Sequence, residues 1–195
     1  GQDDAIATKK AEEFYDRVLV GYGDDSVAEL GGAHIACENV SNIASKFLED
    51  ARLGISPLEK STRYVWFNQK VNGEYRYLRE PTIMKSEFAD DYIKLNEQLF
   101  DTYSKLIDPM QKYFIERFPQ GDASDRAYKS TIRAKACDVL RNFLPASTKT
   151  NVGMYGNGRA FEYLMLKMHS HSLAEMKTLS QHMSDELSKV IPSFV

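Results

Sequence analysis

A chain of 195 residues, 43% apolar and 27% charged, is long enough to bury one sizeable core and sits near the globular average. A net charge of −3 without any block of clustered Lys and Arg leaves no electrostatic footprint for nucleic acid. No apolar run approaches a membrane span, and no charged n-region precedes an apolar h-region, so the expectation is one cytoplasmic domain, residues 1–195, with neither nucleic acid nor membrane as partner.

Asp3 to Val20 read as a helix capped by Asp3 or Asp4, with Ala7, Ala11, Phe14, Tyr15 and Val18 on one face, stopping at Gly21 and Gly23. Ser26 and Glu29 follow at the spacing of a capping box, which predicts a helix start whose free N–H groups can also receive an anion. Ala33 to Val40 read as a strand, and Ser41 then caps a helix with Ile43, Ala44, Phe47 and Leu48 on its apolar face. His34 and Glu38 share a face of that strand, but no third ligand is near, so no metal is expected.

The stretch Ala51 to Tyr64, ARLGISPLEKSTRY, fits neither an amphipathic helix nor an alternating strand. Glu59, Ser61 and Arg63 occupy alternating positions, so an extended backbone would point all three to one side. A guanidinium fork, a hydroxyl and a carboxylate converging on one pocket are the chemistry of nucleotide recognition. The other reading is a solvated turn whose Arg and Glu pair on the surface.

Beyond it, Tyr64 to Leu78 alternates around Asn72-Gly73, which predicts a hairpin whose Trp66, Phe67, Tyr75 and Tyr77 pack rather than stack on bases. From Ser86 a long helix runs to Phe118, broken at Pro109, and Ser124 caps a second one over Asp125 to Phe143. Arg141 stands near its end, where a helix C-terminus favours a cation. Thr148 to Gly158 reads as a strand leading to Asn157 as N-cap, and the remaining helices run from Arg159 to about Ile191. His169 and His171 diverge on a helix and cannot chelate one metal. Cys37 and Cys137 lie among apolar neighbours without ligand spacing and read as core residues.

The stretch ARLGISPLEKSTRY resembles the signature R-H-R-x-x-S-x-N-E-x-S-x-R-Y of the flavin-dependent thymidylate synthases, aligning without a gap. Ser56, Glu59, Ser61, Arg63 and Tyr64 match, whereas Ala51, Arg52, Leu53 and Leu58 stand for Arg, His, Arg and Asn. Other elements carry the likeness further: Ser26 and Glu29, with Asp24 or Asp25 in a histidine's place; Arg141 before Leu144-Pro145; and Asn157 with Arg159. Lys167, Met168 and His169 occupy the region where the family places an arginine for the nucleotide.

The resemblance implies an α+β fold, a mixed sheet flanked by helices, lacking here the family's N-terminal strand, and a homotetramer whose sites form between subunits. It implies reductive methylation of dUMP, with FAD as cofactor and NADPH and methylenetetrahydrofolate as co-substrates. Arg63 and Arg141 would be the catalytic and substrate-binding arginines, Glu59 and Ser61 would bind substrate, and Ser26, Glu29, Arg52, Glu59 and Asn157 would bind the cofactor. Such chemistry needs no protein nucleophile, which suits a chain without a triad or an activated thiol. The lost motif arginines leave two alternatives, a relative acting on another pyrimidine nucleotide and a non-catalytic nucleotide- or flavin-binding domain.

Overall fold

The computed structural model describes residues 9–14, 17–18 and 25–192, the side chains of Asp25 and Ser26 excepted. Residues 9–14 and 17–18 are helical, while the expected N-cap at Asp3 or Asp4 and the stop at Gly21 and Gly23 lie outside the described residues. A 3-10 turn, Asp25–Glu29, precedes β1 (Gly32–Ser41), α1 (Asn42–Asp50), β2 (Ile55–Glu59), β3 (Lys70–Val71) and β4 (Glu74–Tyr75). Then come α2 (Pro81–Met84), α3 (Ala89–Arg117), α4 (Asp125–Leu140), a second 3-10 turn (Arg141–Phe143), β5 (Lys149–Asn157), α5 (Gly158–His169) and α6 (Ala174–Leu187). The expected α+β class holds, with a three-stranded sheet in the order β1-β5-β2 and a separate two-stranded ribbon of β3 and β4.

The described residues group into two compact units: those up to 37, 46–58 and those from 152 onward form the first, and residues 38–45 and 59–151 the second. In the first, α5 buries Phe161, Leu164, Met165 and Met168, and α6, packed against it, buries Met176, Met183 and Leu187. The Ser180 hydroxyl donates to the Met165 carbonyl at 3.0 Å, satisfying a buried polar group between the helices. The expected run from Arg159 to Ile191 is therefore two helices. The chain turns at Ser170, which caps α5, and the Leu173 N–H donates to His171 Nδ1 at 3.1 Å.

The second unit is built on aromatic packing. Phe67, Tyr75 and Tyr77 from the hairpin region join Phe100, Tyr103, Ile107 and Leu140 in one buried cluster, and Tyr75 stacks on Phe100 at 5.0 Å. The hairpin turns as expected because Asn72 (φ 53°) and Gly73 (φ 82°) accept the left-handed conformation that a two-residue turn requires. Its register pairs Lys70 with Tyr75 and Val71 with Glu74.

Helix α3 is 29 residues long and continuous through Pro109, against the expected break. Pro109 lacks an N–H for the Lys105 carbonyl, but both residues are exposed, so water can serve that carbonyl. Helix α4 starts as predicted, with Ser124 Oγ accepting the Ala127 N–H, and ends at Leu140, Arg141 to Phe143 tightening into a 3-10 turn. No helix of the described residues is long and apolar enough to cross a membrane.

Candidate functional site

In the second unit, β2 ends at Glu59, whose Oε1 accepts the Ser45 hydroxyl at 2.7 Å. Extended backbone stops there. The Ser61 carbonyl accepts the N–H groups of Tyr64 and Val65, and Ser61 Oγ accepts the Arg63 N–H at 3.2 Å, so residues 61–65 form a turn. The one-sided array of Glu59, Ser61 and Arg63 expected from their alternation is thus absent, because the Ser61 hydroxyl caps a turn instead of entering a pocket.

Arg63 is gathered with another predicted residue all the same. Its Nε lies 3.1 Å from Asp138 Oδ1, and the Nε of Arg141 lies 3.7 Å from that same oxygen. All three side chains are about half-exposed. Among the described residues neither guanidinium has another ion-pair or hydrogen-bond partner. Arg141 is placed by the end of α4, where the helix dipole and the carboxylate one turn back both favour a cation. Two guanidinium groups on one carboxylate carry a net positive charge suited to a phosphate or an anionic base edge. Sequence reasoning missed Asp138; the available signal was its spacing of three residues before Arg141 on a helix.

In the first unit, Glu29, Leu53, Gly54, Asn157, Arg159, Ala160 and Tyr163 line a cavity of about 480 Å³. Two predicted cofactor residues, Glu29 and Asn157, therefore meet. Glu29 ends a five-residue 3-10 turn, not the α-helix that its spacing from Ser26 suggested, and accepts from Arg159 Nη1 at 2.9 Å. The Ser26 side chain is outside the described residues, and Arg52 is exposed just before the turn formed by the lining residues Leu53 and Gly54.

Asn157 caps α5 as expected: its Oδ1 accepts the Ala160 N–H at 2.8 Å. Gly54, at φ 77°, brings its carbonyl to the Asn157 N–H at 3.2 Å, and a Cβ there would come within 2.8 Å of the Ala160 methyl. Only glycine lets the turn approach the start of α5 this closely. The lining thus offers a guanidinium beside a helix N-terminus for an anion, a carboxylate and an amide for ring N–H and C=O groups, and the exposed ring of Tyr163 for stacking. That donor set fits a phosphorylated aromatic cofactor. Arg159, noted in the sequence only as part of a motif, is the residue that ties Glu29 into it.

His34 is taken by an aromatic contact, its ring centroid 4.7 Å from that of Tyr155. Among the described residues no group of three or more His, Cys, Asp or Glu could hold a metal ion. Cys37 and Cys137 are buried, as read from their neighbours, and burial pushes each thiol up to about 11. Neither is an activated nucleophile.

Comparison with known proteins adds family and fold. UPF0159 proteins are 53% identical over 188 residues in Chlamydia pneumoniae and 50% over 195 in Chlamydia muridarum, the matches covering 96% and 100% of this chain. A third, from Thermoplasma acidophilum, is 35% identical over 209 residues and 96% of the chain. The chain spans only 35%, 37% and 42% of the length of these three relatives.

A crystal structure of the flavin-dependent thymidylate synthase ThyX from Helicobacter pylori, complexed with FAD and dUMP, superposes with a TM-score of 0.54 at 20% identity, covering 95% of this chain and 82% of that one. A second structure of the same enzyme gives 0.51 at 20% identity, covering 90% and 76%. At that identity the likeness is one of fold. A family model described as thymidylate synthase complementing protein matches residues 2–193, the family to which ARLGISPLEKSTRY pointed. This chain belongs to the thymidylate synthase complementing protein family.

Proposed function

We propose that the chain works as a flavin-dependent thymidylate synthase domain, or as a close relative methylating another pyrimidine nucleotide. The observation that carries this reading is the meeting of Arg63 and Arg141 on Asp138, which presents two oriented guanidinium groups where the family resemblance expects nucleotide contacts. The family and the fold of an enzyme solved with FAD and dUMP support it.

In this reading the outer Nη groups of Arg63 and Arg141 bind the phosphate and base of dUMP, and Ser61 holds the turn that aims Arg63. Glu59, steadied by Ser45, faces the ligands as a hydrogen-bond acceptor. Glu29, Asn157 and Arg159, with Ser26 and Arg52, hold FAD. Bound flavin supplies the hydride, replenished from NADPH, while methylenetetrahydrofolate supplies the carbon. The protein contributes position and charge. The proposal extends to a cytoplasmic homotetramer.

One observation favours the non-catalytic reading. Leu53 and Leu58, standing where the family pattern has Arg and Asn, are 94% and 80% exposed, so apolar side chains face solvent in place of polar contacts.

The test is an absorbance spectrum of the purified protein, titration with FAD and then dUMP, and an assay with NADPH and methylenetetrahydrofolate. Flavin binding that shifts on adding dUMP, followed by NADPH-dependent turnover, is the expected result. Binding without turnover selects the non-catalytic reading, and no binding of either ligand overturns both.

A further inference from the structure

Helix α4 carries a second cationic feature, independent of the proposed activity. Arg126, Lys129 and Arg133 follow one another at steps of three and four residues, so they share one face of the helix and climb it by roughly 4.5 Å and roughly 6 Å. With Asp125, Ser130 and Gln111 of α3 they line an open hollow of about 730 Å³.

The polar groups around this hollow are uncommitted. Among the described residues none of the three cations has a carboxylate within ion-pairing distance, and neither the Ser130 hydroxyl nor the Gln111 amide has a protein hydrogen-bond partner. Neighbouring groups on the same helix do have partners: the Thr131 hydroxyl donates to the Ala127 carbonyl at 3.0 Å, and Lys135 lies over the Phe118 ring at 4.3 Å. The one acid on the lining, Asp125, accepts the Gln120 side-chain amide at 2.8 Å. Three like charges stacked a turn apart repel one another, and among the described residues none of them is held in an ion pair.

We infer that this hollow binds the phosphate chain of a small oligophosphate. Two guanidinium forks flanking an ammonium match successive phosphates, the forks taking paired oxygens and the lysine acting as a point charge. Ser130 and Gln111 add neutral hydrogen bonds. A hollow of this size lies within the range of roughly 300 to 1,000 Å³ usual for small-molecule sites. No aromatic ring lines it, so it lacks the stacking platform of a site for single-stranded nucleic acid.

The probe is inorganic tripolyphosphate, titrated calorimetrically into the protein at about 0.15 M salt, where diffuse surface attraction is largely screened. One saturable site is expected, weakened at least roughly 30-fold in the Arg126→Ala/Lys129→Ala/Arg133→Ala variant through loss of charge-assisted hydrogen bonds. The charge-matched variant Lys94→Ala/Lys105→Ala/Lys177→Ala should bind as the wild type does. All six side chains are exposed, so both variants should keep the far-ultraviolet circular dichroism of the parent. Absence of saturable binding, or equal loss in the two variants, overturns the site. Binding of tetraglutamate or of a short single-stranded oligonucleotide more tightly than tripolyphosphate overturns the ligand class.

Discussion

Arg63 and Arg141 meet on a single oxygen, Oδ1 of Asp138, at 3.1 and 3.7 Å, although one lies in the turn after β2 and the other at the end of α4. At about half exposure such pairs stabilise a fold by only ~0–1 kcal/mol, so their consequence is orientation. Asp138 lies against each Nε, and among the described residues neither guanidinium has another partner. Asp138→Asn is therefore expected to shift the melting temperature by no more than about 3 °C. It should weaken dUMP binding about 5- to 10-fold, as two unanchored arginines must be ordered by the ligand. A calorimetric titration beside a thermal melt checks both; a dUMP affinity equal to wild type would remove Asp138 from the site.

The two arginines should also be energetically coupled. Arg63→Ala and Arg141→Ala are each expected to cost ~1.5–3 kcal/mol of dUMP affinity, the range of a hydrogen bond to a charged group. Because they share Asp138, the double variant should lose less than the sum, with a coupling of ~0.5 kcal/mol or more. Arg141→Lys should recover little, since an ammonium cannot reproduce the planar fork. Strict additivity in the cycle would mean that the two bind separate parts of the ligand or none.

At the hairpin turn and the helix N-caps, where structure depends on neighbours in sequence, the sequence was a sufficient guide. Asn72-Gly73 forms its turn by local backbone preference, and Ser41, Ser124 and Asn157 cap the helices that follow because each hydroxyl or amide reaches an N–H three residues on. The aromatic spacing around the hairpin likewise foretold a packed cluster.

The failures have equally definite causes. Ser61 was read as one of three side chains that an extended backbone would align, and instead it turns the chain, since a serine hydroxyl competes for nearby backbone N–H groups and periodicity does not reveal which partner wins. The meeting of Arg63 with Asp138 and the pairing of Glu29 with Arg159 were illegible because each joins segments distant in sequence, and a charged residue on an exposed face looks the same whether or not another segment meets it.

Asn157 combines two roles that substitution can separate. Its Oδ1 caps α5, and the residue also lines the first-unit cavity. Asn157→Ala should destabilise the protein by ~1 kcal/mol through loss of the cap. Asn157→Asp keeps an acceptor at the helix N-terminus and should hold stability near wild type, yet it replaces the amide donor by a second negative charge near Glu29. FAD affinity is then expected to fall at least about 10-fold without a matching change in the denaturation midpoint. If the Asp variant binds FAD normally, Asn157 serves only the helix.

Alkaline stability should report the two buried thiols. Cys37 and Cys137 are 3% and 0% exposed, and burial raises each from its ordinary 9.0 to about 11, with Arg133 drawing Cys137 slightly back. The unfolded chain therefore releases these protons at a lower pH than the folded one. Their contribution is complete below pH 9.0 and is lost as pH rises through about 11, on the order of 3 kcal/mol per thiol at most. Burial moves Tyr103 the same way, from 10.0 to about 12, and the Tyr75 and Tyr77 hydroxyls are also raised, so the decline continues above the thiol range. Urea midpoints should be flat between pH about 7 and 8.5 and fall steadily toward pH 11. The Cys37→Ala/Cys137→Ala variant should start lower, from the loss of buried sulfur, but decline less steeply between pH 9 and 11. A slope identical to wild type would assign the alkaline loss to the tyrosines alone.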